Sequence, residues 1–193
     1  MSWYKTAGNI KEMEAFFKKR TAKHIERVQK YCKKIQDYDE DRFDGLVERG
    51  EIHDQSKYEN PEKDPYVYIT WDYKCKEDGT EFELPDGMRE KMNEATNHHI
   101  KNKHNAHHPE SHSEQGGNLI NRGDRDKPPD ELIDSTKMKD LDIGEMVADW
   151  LSMSEEKDSD PKDWADKNVN IRWKFTDDQE ETIYELIKNV WRK

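Results

Sequence analysis

The chain has 193 residues, of which 31% are hydrophobic and 40% charged, with a formal net charge of −11 from 33 Lys+Arg against 44 Asp+Glu. That length suits one domain over residues 1–193 with a lean core, and six Trp, eight Tyr and five Phe supply much of its bulk, which excludes disorder throughout. The acidic balance disfavours non-specific nucleic-acid binding, no apolar run reaches membrane-spanning length, and two cysteines are too few for a disulfide framework. An intracellular, cytoplasmic protein without a membrane partner is expected.

Residues from about 9 to 36 read as a long helix. Met13, Phe17, His24, Val28, Tyr31 and Ile35 recur at spacings of three, four and seven and so share one face. His24 therefore points inward; taken alone it would be a hydrogen-bonded core histidine. The basic run Lys18 to Lys34 reads as a solvated helix face. Phe43, Leu46 and Val47 suggest a short helix ending near Gly50, which delivers His53-Asp54 just beyond it.

Residues 65–75 carry strand-like β-branched and aromatic content. Asp64 before Pro65, with Tyr66, Ile69 and Tyr73 at helical spacing, favours a helix instead. Residues 76–87 are polar and turn-like, with room for a small hairpin. A further helix is predicted from about 88, where Met88, Met92, Ala95 and His99 keep helical spacing and put His99, rather than His98, on the buried face. The stretch 109–137, with Gly116-Gly117 and Pro128-Pro129, reads as a flexible surface loop.

A helix at about 141–154 places Met146, Asp149 and Met153 on one face. A carboxylate beside an apolar stripe needs a partner, which a cation would supply. Residues 155–170 are polar. The last helix starts at Thr176, where Gln179 completes a capping-box pattern, and buries Ile183, Leu186, Ile187 and Val190. The fold class expected is all-α.

Inward-facing nitrogen and oxygen ligands thus arise from His24, His53-Asp54, His99, His107-His108 and Asp149. Imidazole and carboxylate without thiolate suit manganese, iron, zinc or related divalent ions. A His-rich, non-specific metal-binding loop at 98–112 is the competing reading. The isolated positions of His24, His53 and Asp149, each on its own element, favour a built site.

The order His…His-Asp…Asp resembles the HD-domain superfamily of helical metal-dependent phosphohydrolases, and His53-Asp-Gln-Ser-Lys57 is similar to its His-Asp-x-x-Lys segment. A closer resemblance is to a phage and bacterial family catalogued only as a domain of unknown function. It is carried by Ala95-Thr-Asn-His-His99, Asn105-Ala-His-His-Pro-Glu110 and Glu145-Met-Val-Ala-Asp-Trp150. The match runs from about 20 to 155. One departure is a gap, Ile100 to His104, two residues longer than that pattern, which admits His104 in place of His99 as a ligand. His99 is retained for its stripe and its Ala95 context.

The resemblance implies an HD-like helical bundle, in the host's cytoplasm if phage-encoded. It implies that His24, His53, Asp54 and Asp149 hold one divalent ion, with Asp54 bridging to a second held by His99, His107 and His108. Whether one or two ions bind is left open. Asp54 and Lys57 would be the catalytic pair, with Lys57 neutralising phosphoryl oxygens or else forming a surface salt bridge. Ser56 reads as a helix cap rather than a nucleophile. The expected function is hydrolysis of a small phosphoester, such as a nucleotide, by a metal-activated water. Two alternatives stand beside it: an HD-type di-iron oxygenase, and a non-catalytic, metal-stabilised binding module.

Overall fold

Asn9 opens the first helix, its side-chain oxygen accepting from the Lys11 N–H at 3.0 Å, and α1 runs Ile10–Tyr38. The computed structural model describes residues 9–113 and 129–191. Within them the class is all-α: α2 (Glu40–Phe43), α3 (Leu46–Ile52), α4 (Lys63–Glu77), α5 (Met88–Lys101), α6 (Asp140–Lys157), α7 (Pro161–Asn168) and α8 (Asp177–Val190), with short 3₁₀ turns between some of them. Among the described residues, no helix is long and apolar enough to cross a membrane.

The buried face of α1 is interrupted by polar residues, and the core divides at that point. Met13 and Phe17 pack with Tyr66, Ile69 and Trp71 of α4 and Met92 of α5. About three to five turns on, Val28, Tyr31, Cys32 and Ile35 pack into a second apolar cluster with residues of α2, α3, α6 and α8. Thr21 and His24 lie between the two, on the same buried face. Each fully buried large side chain contributes about 1.5–3 kcal/mol. Together the two clusters hold open a polar seam that would not pack by itself.

Two close approaches set the register of the pieces around that seam. A Cβ at Gly50 would stand 3.2 Å from Cys32 Cβ, so glycine lets α3 lie against α1. A Cβ at Gly144 would meet Leu46 and Phe43 side-chain carbons at 3.0 Å, which brings α6 onto α2 and α3. Between α2 and α3, Gly45 adopts φ 90, a left-handed conformation that splits the single short helix expected around 43–50 into two.

Other expectations need correction. No strand forms over residues 76–87. The Thr80 N–H closes the end of α4 by donating to Cys75 O at 2.8 Å, and Phe82 and Leu84 then pack on the α1/α4/α5 cluster instead of pairing as a hairpin. A parallel pair appears elsewhere, β1 (Ile133–Asp134) with β2 (Trp173–Lys174). In the stretch read as a loop, residues 114–128 lie outside the described residues, whereas Pro109–His112 is a 3₁₀ turn and 133–134 is β1. The polar stretch 155–170 contains α7, capped by Asp160, whose carboxylate accepts from the Lys162 N–H at 2.9 Å.

The basic run on α1 is not simply solvated. Arg20 and Arg27 both reach Glu156 at 2.9 Å, and Lys30 and Tyr31 share Glu155. These contacts stitch the outer rim of α1 to the end of α6.

Candidate metal centre

Every candidate ligand faces the polar seam. His24 comes from the middle of α1, His53 is the residue that ends α3, and His99 comes from the last turn of α5. Asp149 comes from α6, while His107 and His108 follow a 3₁₀ turn over Lys103–Asn105. Asp54 stands between all of them at φ 59 and ψ 8, a left-handed conformation that aspartate tolerates better than most residues. Asp54 is 1% exposed and His53 fully buried.

The spacings are compatible with a coordination shell. His24 Nε2 lies 3.2 Å from Asp149 Oδ1, 3.4 Å from Asp54 Oδ2 and 3.4 Å from His53 Nε2. His53 Nε2 lies 3.7 Å from the same Asp54 oxygen. Ligands bound at ~2.1 Å stand about 3.0 Å apart along an octahedral edge and about 3.4 Å along a tetrahedral one. The other Asp54 oxygen, Oδ1, faces the second set, 3.1 Å from His99 Nε2. The His99 ring lies 5.0 Å from that of His108, and the His107 and His108 rings are 4.1 Å apart between centroids. Potential ligand atoms of His99, His107 and His108 all fall within 4.8 Å of one another, as do those of His24, His53 and Asp149, and those of His53, Asp54 and His107.

The outward ring nitrogens are also held. Ser152 Oγ meets His24 Nδ1 at 3.1 Å, Glu145 Oε1 meets His53 Nδ1 at 2.8 Å, and Glu62 Oε2 meets His99 Nδ1 at 2.8 Å. Such partners fix the tautomer and leave Nε2 free to ligate. Sequence reasoning assigned no role to these three supports. The recoverable signal was on α6, where Glu145, Asp149 and Ser152 follow at four and three residues and so share a face. Ser56 does not cap a helix; its hydroxyl donates to Glu62 Oε2 at 2.9 Å and belongs to this outer layer.

Fit to a divalent cation rests on two features. The Nε2 atoms of His24 and His53 point at each other, and two imidazole nitrogens so placed need a proton or a cation between them. His99 Nε2 is buried without a hydrogen bond of good geometry, although it faces Asp54. Both would be met by an ion. Thiolate plays no part: Cys32 and Cys75 are free and buried in the two apolar clusters.

Charge is concentrated accordingly. Burial penalises the Asp54 carboxylate, but Lys57, His53, His24 and His99 outweigh it and hold its pKa well below the usual range. Asp149 is half-buried, and its hydrogen bond to His24 outweighs the cost of desolvation and drives its pKa down. Burial opposes a charged His24, yet Asp149 and Asp54 raise its pKa to about 9. Lys57 pairs with Asp54 Oδ2, and its Nζ lies 5.2 Å from the centre of the Tyr66 ring. With its side chain 18% exposed, this is no surface salt bridge.

His104 is exposed, whereas His99 is 2% exposed and faces Asp54, so the geometry favours His99 as the ligand. The seam opens into a cavity of about 490 Å³, whose lining includes His24, Asp54, Lys57, His99, His108 and Asp149.

An all-α protein with a buried histidine and carboxylate cluster at the base of a cavity is therefore the class that fold and site define. The model of a family of unknown function, DUF5662, matches residues 13–189, and the chain belongs to that family. No curated protein and no solved structure matches the chain.

Proposed function

We propose that this chain is a metal-dependent phosphohydrolase of HD type, acting on a small phosphorylated substrate in the cytoplasm. The observation that carries the reading is Asp54, with one oxygen turned to His24 and His53, the other to His99, and Lys57 alongside. His24, His53, Asp54 and Asp149 would hold one ion, and Asp54, His99, His107 and His108 a second. Manganese, iron and zinc all suit the donor set. When bound, a divalent ion supplies Lewis acidity toward water and a phosphoryl oxygen.

The chain's own residues do the rest. Lys57, on the cavity wall, turns from Asp54 toward the incoming phosphoryl oxygens and offsets their charge. Histidines with supported rings and a carboxylate held ionised keep the ligand geometry before substrate arrives. Hydrolysis forms a P–O bond to water and breaks the ester P–O bond, and the alcohol leaves with one of the water protons. Free, buried Cys32 and Cys75 support a reducing compartment.

A second reading, a di-iron oxygenase of HD type, draws on the same two-sided Asp54 and the extra histidine set. The deciding experiment is elemental analysis of metal-supplemented, gel-filtered protein beside Asp54→Asn, followed by a broad phosphomonoester and phosphodiester panel. Bound manganese, iron or zinc with hydrolysis, both lost in folded Asp54→Asn, is the expected outcome. Bound iron with oxygen consumption and no hydrolysis moves the assignment to the oxygenase. Bound metal with neither hydrolysis nor oxygen consumption, and a partner captured instead, would leave the metal-stabilised binding module.

A further inference from the structure

The supports behind the ligands are not distributed evenly. His24 leans on Ser152, and His99 on Glu62 at 2.8 Å with Asn105 Nδ2 at 2.9 Å and Ser56 Oγ at 3.2 Å from the same nitrogen, so neither ring shares its support with another candidate ligand. Glu145 behaves differently. Its Oε1 lies 2.8 Å from His53 Nδ1 and 3.1 Å from His107 Nδ1, the latter off the line of an ideal hydrogen bond. Its Oε2 is gripped by Arg49, at 2.8 Å from Nε and 2.7 Å from Nη2. Arg49 is itself anchored by Asp142 at 2.7 Å. Glu145 is 1% exposed, so this carboxylate has little freedom to turn.

His53 belongs to the group around His24 and Asp149, and His107 to the group with His99 and His108. One fixed oxygen therefore faces a ring from each half of the centre. With Nδ1 turned to Glu145, each ring presents Nε2 to the seam.

We infer that Glu145 is a positioning residue common to both halves, clamped by Arg49, that sets the tautomer and orientation of His53 and His107 together, whereas Ser152 and Glu62 each serve one half. Its purpose rests on the metal reading above. Glu145 itself touches no substrate.

The experiment compares three conservative variants of the full chain: Glu145→Gln, Ser152→Ala and Glu62→Gln. Zinc and manganese titrations by calorimetry, with elemental analysis, count the ions and their affinities. NMR of the imidazole N–H groups in metal-free protein reads ring positioning directly. Glu145→Gln is expected to weaken both ions by about 10–100-fold each, and to displace the His53 and His107 N–H resonances together. Ser152→Ala should weaken one ion and Glu62→Gln the other.

Loss confined to one ion in Glu145→Gln, or movement of only one of the two resonances, overturns the inference. Should Glu145→Gln fail to fold, Arg49→Lys keeps the carboxylate and the charge but loses the two-point grip. It is expected to weaken both ions by a smaller factor, and a one-sided loss again overturns the idea. Wild type that takes up no ion would end the metal reading, while the NMR comparison would still decide whether Glu145 holds both rings.

Discussion

Asp54 combines a rare backbone conformation with the central position in the candidate ligand set, and the two must be separated when it is mutated. At φ 59 an alanine carries strain of about 1–2 kcal/mol that asparagine largely avoids. Both substitutions cost Lys57 its anionic partner. In urea unfolding of metal-free protein, Asp54→Ala should therefore fall below Asp54→Asn by roughly that strain. Lys57→Met isolates the other half of the pair: phosphoester turnover should drop by about 10²-fold or more, with metal content retained. Metal lost along with activity would return Lys57 to a structural role.

At this same scale, His24, His53, Asp54 and Asp149 were legible because periodicity or adjacency marked them. Glu62 was not, and Ser152 showed only through its spacing from Asp149 on α6. Which ring a support holds is recognisable only once that ring has a direction, and no spacing in the chain links residue 62 to 99 or 152 to 24.

Among the elements, the helices with dense apolar stripes were readable, and the capping box at Thr176 and Gln179 forms as expected, with the Thr176 N–H donating to Gln179 Oε1 at 2.9 Å. α7 escaped notice although Asp160-Pro161 is a good helix opening. It buries only Pro161, Ala165 and Asn168, too few to show a period. The parallel β1–β2 pair was equally hidden, since two-residue strands carry no alternation. Gly144 is where element packing can be tested. A methyl there would press on Leu46 and Phe43 and push α6, with Glu145 and Asp149, away from α3. Gly144→Ala should lower stability by about 1–3 kcal/mol, read by thermal unfolding, and should weaken metal uptake in protein that still folds.

For the molecule as a whole, a bound metal would compete with the proton on His24. In metal-free protein His24 has its pKa raised from 6.5 to about 9. Its proton contributes stability that is fully present below 6.5 and is lost as pH rises through about 9. With an ion bound the ring carries no such proton. The gain in Tm on loading metal should therefore grow from pH 6.5 to 9, and apparent affinity should fall by up to about tenfold per pH unit below 9. At a free ion concentration 100 times Kd the gain is about 2.7 kcal/mol per site. Paired melts with and without chelator check both. A gain that shrinks with rising pH would count against His24 as a ligand.

His24 and its support Ser152 are 128 residues apart in sequence, and Asp149 joins them from the same helix. An ion at this seam would thus cross-link α1 to α6, closing a loop of a size that in a disulfide would take about 4–5 kcal/mol of entropy from the unfolded chain. Such a link has an order in time. A ribosome releases α1 and α3 long before α6, so the early histidines must wait with their ligand set incomplete. Loading of such an ion would consequently be a late event in the life of the chain, an imprint that the finished helical body is in place.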